Sequence, residues 1–208
     1  MILNTYASVN QQFSLQTFNF LICAKTMKMI ATLFVVFAVA SSAFGQCPVP
    51  TPVSGADIGK IAGRWYEISG STLDLTCVTM DFTPREDGNF NYTTLGSKSD
   101  GSKHSRHLLA IRTDNENSFN ISDMSTETRY PITFYIADTD YDNYLAMYSC
   151  VFLPGYSQIQ LGFILSRFNS MKDDKLAELT DLLIKLGLTD DKIQSISQEY
   201  CKYWPASQ

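Results

Sequence analysis

Histidine is almost missing from this chain: His104 and His107 are the only two in 208 residues. They differ in parity along one extended run, and no motif sets a Ser or Asp beside them. Neither therefore belongs to a recognisable acid–base or nucleophile arrangement, and both read as surface or rim residues. An axial haem ligand would need one of them deep in a pocket. Short paired spacings such as Cys-x-x-Cys are also absent, which removes the usual metal-binding layouts. Basic residues are scarce and scattered, 16 Lys and Arg against 21 Asp and Glu. Nucleic acid and anionic membrane surfaces both demand a concentrated positive patch, so neither is an expected partner. There is no internal repeat and no low-complexity tract. No apolar run reaches the roughly 20 residues of a membrane-spanning helix, so no transmembrane segment is expected.

The one charge-free apolar run, Ile30 to Ala40, follows Lys25 and Lys28 and precedes the small-x-small sequence Ala43-Phe44-Gly45. That order predicts a secretory signal peptide cut after Gly45. Met27 and Met29 stand directly before the run and are alternative starts to Met1, which makes the upstream residues an extension that carries no fold argument. The expected organisation is thus 1–45 as signal peptide with upstream extension, and 46–208 as one extracellular domain. Cleavage removes two of the 16 basic residues and none of the 21 acidic ones, leaving 14 against 21, a formal charge of −7. It also removes Cys23. Cys47, Cys77, Cys150 and Cys201 remain, an even number that reads as two disulfides with three connectivities open.

After a lead containing Pro48, Pro50 and Pro52, the chain breaks into short strand-like runs separated by turn residues. Cys77 to Thr83 and Phe90 to Leu95 flank Asp87-Gly88, a hairpin signal. His104 to Arg112, Ser118 to Ile121, Ile132 to Thr139, Tyr144 to Phe152 and Ile159 to Ser166 follow. With a strand around Trp65 they number eight. Serial strands without helical periodicity between them fit a mainly β, up-and-down antiparallel barrel, with a β-sandwich as the alternative. Past the strands the period changes: Leu176, Leu179, Leu182, Leu183 and Leu186 share one helical face, predicting an amphipathic helix from Asp173 to Leu186 that Gly187 stops. A second short helical stretch is expected from Asp190 through Ile193 and Ile196, ending near Cys201.

Two sequons, Asn91-Tyr92-Thr93 and Asn120-Ile121-Ser122, set strand parity, because a glycan must point to solvent. Asn91 outward turns Tyr92 and Thr94 inward; Asn120 outward turns Phe119 and Ile121 inward. Three further elements stand in order. Gly63-Arg64-Trp65-Tyr66-Glu67 opens the first strand, Thr139-Asp140-Tyr141-Asp142-Asn143-Tyr144 is an acidic turn between two apolar strands, and Arg167 closes the run Phe163 to Ser166. A guanidinium over the Trp65 indole would seal one end of a cup, and that facing puts Phe163 and Leu165 on the inner side.

Order and spacing of these elements, with Tyr148-Ser149-Cys150, resemble the lipocalins, in particular the branch of apolipoprotein D, retinol-binding protein, insecticyanin and crustacyanin. The resemblance runs from about Cys47 to Cys201. It implies a secreted eight-stranded calyx with a C-terminal helix, the pairs Cys47–Cys150 and Cys77–Cys201, and structural roles for Gly63, Trp65, Thr139, Asp140, Tyr141 and Arg167. It also implies inner positions at Met80, Phe82, Phe134, Ile136 and Met147. Together with Tyr92, Thr94, Phe119, Phe163 and Leu165, these make an aromatic and aliphatic lining suited to a carotenoid, retinoid, sterol, fatty acid or bilin.

The function expected is carriage of a small hydrophobic molecule, with no required cofactor and no catalytic or metal-ligating residue. Bound pigment or lipid would be cargo. Two other classes differ in what they need. An isomerase like the prostaglandin-converting lipocalin requires a free thiol in the pocket. An interaction protein with an empty barrel would bind a receptor, or form a homo- or hetero-dimer, through loops rich in tyrosine such as Tyr141, Tyr144 and Tyr156.

Overall fold

Eight strands follow one another with no helix between them: β1 (Gly63–Gly70), β2 (Leu75–Pro84), β3 (Phe90–Lys98), β4 (Lys103–Arg112), β5 (Ser118–Asp123), β6 (Ile132–Thr139), β7 (Tyr144–Phe152) and β8 (Gln158–Ser166). The computed structural model describes residues 47–71, 74–123, 131–152 and 158–205. The signal-peptide expectation and Tyr156 lie outside these residues. Each strand pairs antiparallel with the next, and β1 pairs with both β2 and β8, so the sheet closes on itself. Closure removes the exposed edges that an open sheet must protect, and the single continuous ladder excludes a two-sheet sandwich. At the β2–β3 hairpin Gly88 takes φ +81°, and the Arg85 N–H donates to the Asn89 carbonyl at 2.9 Å.

Alternation divides the apolar residues between two cores. Inside the barrel, Trp65, Phe82, Phe90, Ala110, Phe119, Ile136, Leu145, Met147 and Leu165 pack with Ile58 and Ile61 from the 3-10 turn Ile58–Ile61. Outside it, Ala137, Ala146, Tyr148 and Ile164 meet Leu179 and Leu183 of α1 (Asp173–Lys185). Helix α1 carries Asp173 and Asp174 in its first turn and Lys185 in its last, each suited to the helix dipole. It stops where Gly187 enters the left-handed region at φ +95°. Leu188 then lies against Gly162 of β8, where an added Cβ would sit 2.5 Å from its side chain. Each leucine so covered contributes about 1.5 to 3 kcal/mol.

Past α1 the structure departs from the expected second helical stretch. Only Asp190–Lys192 form a 3-10 turn, and Gln194–Ser195 become β9 on β1. The cause is an open seam. β1 pairs with β2 only from Gly63 to Tyr66, so the backbone groups beyond need other partners. The tail supplies them: Ile196 N–H donates to the Ile68 carbonyl at 3.0 Å and Cys77 N–H donates to that of Ser197 at 2.8 Å. The Gln198 amide donates to the carbonyls of Glu67 and Val78. Two disulfides hold the ends of the chain to this frame. Cys47–Cys150 ties the proline-rich lead to β7, and Cys77–Cys201 ties the tail to β2, the pairing implied by the resemblance.

Candidate ligand-binding site

One end of the barrel is sealed by Arg167. Its guanidinium carbon stands 3.6 Å from the centre of the Trp65 ring, close enough for strong cation–π contact. It donates to three carbonyls, those of Arg64 at 3.0 Å, Lys60 at 3.1 Å and Tyr141 at 3.2 Å. Burial lowers its pKa. Gly63 is required here twice over: it adopts φ +96°, and a Cβ would lie 3.2 Å from an Arg167 nitrogen. Trp65 is fully buried and donates from Nε1 to the Ile61 carbonyl at 2.8 Å.

The acidic turn docks on this seal through its own hydrogen bonds. Thr139 Oγ1 donates to the Tyr144 carbonyl at 2.6 Å and accepts from the Tyr141 N–H at 2.8 Å. Asp140 Oδ1 accepts from the backbone N–H groups of Asn143 at 2.7 Å and Tyr144 at 3.0 Å. Burial opposes ionisation of Asp140, but the bonds from Asn143 and Tyr144 prevail and hold its carboxyl below the ordinary range. Tyr141 is turned to φ +64°, where its hydroxyl accepts from the Asp57 N–H at 2.9 Å.

Above the seal lies a cavity of about 270 Å³, walled by Leu75, Met80, Tyr92, Leu108, Ile121, Ile132, Phe134, Leu161 and Phe163, with Ser71, Thr94, His104 and Arg106 as the polar members. Tyr92 donates to the Met80 sulfur at 3.1 Å. Burial pushes its phenol pKa far up, against a smaller opposing pull from its hydrogen bond with Thr94. Of the ten expected lining residues, Met80, Tyr92, Thr94, Phe134 and Phe163 stand on the cavity wall. Phe82, Phe119, Ile136, Met147 and Leu165 point inward too, but they fill the packed floor, each almost fully buried. Phe82 meets Phe119 edge-on at 5.8 Å, and Phe119 stacks on Phe134 at 6.0 Å.

The matching family model spans residues 62–199 and describes the lipocalin / cytosolic fatty-acid binding protein family. The chain belongs to that family. Mouse (Mus musculus) apolipoprotein D is 26% identical over 183 residues, covering 85% of this chain and 97% of its own. Among solved structures, insecticyanin from the tobacco hornworm Manduca sexta superposes with TM-score 0.59 at 19% identity, over 74% of this chain and 86% of that one. Lobster apocrustacyanin A1 gives 0.56 at 19% identity, over 74% and 93%. These are the relatives the sequence motifs pointed to, and at such identities the structures establish the fold.

In this lipocalin the two expected glycosylation positions differ. Asn91 is exposed on β3, where its Oδ1 accepts from Arg85 at 2.9 Å. Asn120 is half-buried, with Oδ1 accepting from Thr133 at 2.8 Å. His107 faces outward between Thr93 and Ser105, whereas His104 lines the cavity. The wall positions missed from the sequence are Ser71, Leu75, His104, Arg106, Leu108, Ile132 and Leu161. Alternation counted back from Leu108 along β4 would have found the two basic ones.

Proposed function

We propose that this lipocalin is a secreted carrier that holds one small hydrophobic molecule in its barrel and releases it unchanged. The observation that carries this reading is the cavity itself: a mainly apolar space with few polar groups, lying above the Arg167–Trp65 seal. The ligand classes in view are those expected from the lining, namely a carotenoid, retinoid, sterol, fatty acid or bilin. Tyr92, Thr94, Met80, Phe134 and Phe163 are its proposed contacts, and Phe82, Phe119, Ile136, Met147 and Leu165 support them from beneath. Secretion is supported by the leader pattern and by two disulfides, bonds that persist in oxidising compartments. Asn91 and Asn120 are proposed to carry glycans on the outer surface. Carriage rather than isomerisation is supported by the cysteines, since the four outside the leader are all oxidised and leave no described thiol as nucleophile.

Native mass spectrometry of the protein secreted by its source, with an organic extract of the same sample, tests the proposal. One equivalent of an apolar compound is expected. A clean spectrum of the bare chain, unchanged after incubation with apolar compounds, would favour the interaction protein with an empty barrel.

A further inference from the structure

Resting on the reading of the chain as secreted, we propose that Thr51 is a site of O-linked glycosylation, its hydroxyl taking an N-acetylhexosamine from a nucleotide sugar. Three observations converge on this hydroxyl: its proline neighbours, the way the lead is held against the barrel, and its exposure in the folded chain.

Sequence fixes the backbone. Thr51 is the only Ser or Thr in the chain with a proline on each side, Pro50 and Pro52, and Pro48 stands two residues further back. Each proline locks its own φ at about −65°, and Pro52 keeps Thr51 out of the helical region. None of the three offers an N–H, so the segment resists absorption into a sheet. In the fold, residues 47–53 form neither helix nor strand. A polypeptide glycosyltransferase needs its acceptor extended, with backbone reachable on both sides. A lead already in that shape loses little conformational freedom on binding.

Packing decides which side chains are offered. The lead is pinned at one end by Cys47–Cys150 and at the other by the Val53 N–H, which donates to Asn117 Oδ1 at 2.8 Å. Between these pins Pro50 is buried, and Val53 packs against the inner core of the barrel. Val49 and Thr51, on either side of Pro50, are turned to solvent, Val49 to 61% exposure. The Thr51 hydroxyl has no hydrogen-bond partner among the described residues, so adding a sugar breaks no bond of the fold. Thr83 gives the contrast. It too is exposed and precedes a proline, Pro84, but β2 pairs it with Asn91 of β3, and a transferase would have to lift a strand from the barrel to reach it.

In the transfer, Thr51 Oγ1 forms a bond to the anomeric carbon of the sugar as the bond from that carbon to the diphosphate oxygen breaks. The hydroxyl proton leaves with the nucleoside diphosphate. The product is a bulky polar cap beside the exposed Val49 and the Cys47–Cys150 bond.

Expression of the full chain in secreting animal cells tests the inference. N-linked sugars are removed enzymatically from the protein in the medium, and its peptides are mapped by mass spectrometry with fragmentation that leaves side-chain sugars attached. The peptide containing Thr51 should carry an N-acetylhexosamine. Thr51→Ala should lose it, and Thr51→Ser should keep part of it. Pro52→Ala, which leaves the hydroxyl in place, should lower its occupancy several-fold. All three variants change exposed positions and should reach the medium with both disulfides formed. A bare or phosphorylated Thr51 in the secreted protein, or a sugar on Ser54 or Thr83 in its place, would overturn the inference and leave secretion standing. A chain retained in the cells with its leader attached would overturn both.

Discussion

Arg167 shows how one side chain can close a barrel without touching its contents. Its three hydrogen bonds and its contact with Trp65 join the 3-10 turn, β1 and the acidic turn. Arg167→Ala should cost about 1 to 2 kcal/mol from the cation–π contact alone, read as a lower urea midpoint, with ligand preference unchanged. A midpoint equal to that of the unaltered protein would show that the contact does not hold in solution. Asp140 supplies a pH test at the same end. Its carboxyl is held below the ordinary 3.8, so its stabilisation is complete above that value and is lost as the pH falls through the depressed one. Thermal midpoints of Asp140→Asn and of the unaltered chain should therefore differ most near neutrality and converge on acidification. A constant gap would contradict the hydrogen-bonded turn.

At the scale of elements, much of the fold was legible because each strand is locally consistent. Tyr92 and Thr94 alternate with exposed Asn91 and outward Thr93, and the leucines of α1 repeat at helical spacing. Two features were hidden. The division of inward residues into wall and floor depends on where barrel closure brings strands together, and the one-residue ladder shifts at Thr76/Thr79, Glu67/Ser69 and Ile136/Asp138 reverse the alternation part-way along a strand, so that Leu75 and Met80 both line the cavity. The open seam of β1 is likewise invisible to a pattern in residues 190–196, so Ile193 and Ile196 suggested a helix where pairing imposed a strand. The wall–floor division has a measurable consequence. Phe82→Ala, in the floor, should destabilise the fold by about 3 to 5 kcal/mol through the cavity it opens. Phe134→Ser and Phe163→Ser, on the wall, should chiefly weaken binding. Paired denaturation and binding curves separate the two effects, and equal behaviour at all three positions would collapse the distinction.

For the whole molecule, a hollow interior gives up packing that a solid core would supply, and long-range covalent closure offsets part of that loss. The disulfides span 103 and 124 residues, and chain-entropy arguments assign about 4 to 5 kcal/mol to each closure. Cys77→Ser with Cys201→Ser should lower the thermal midpoint by roughly 8 to 20 °C, at about 2 to 4 °C per kcal/mol in a domain of this size, and free the tail from the β1 seam. The central claim is that the barrel's interior carries a small apolar molecule. Fluorescence titration with a small aromatic probe such as 1-aminoanthracene, run on the unaltered protein, Phe163→Ser and Asn91→Gln, addresses it directly. The account predicts saturable one-to-one binding that Asn91→Gln retains and Phe163→Ser weakens by about tenfold or more. Equal affinity in all three, or no saturation in any, would contradict it.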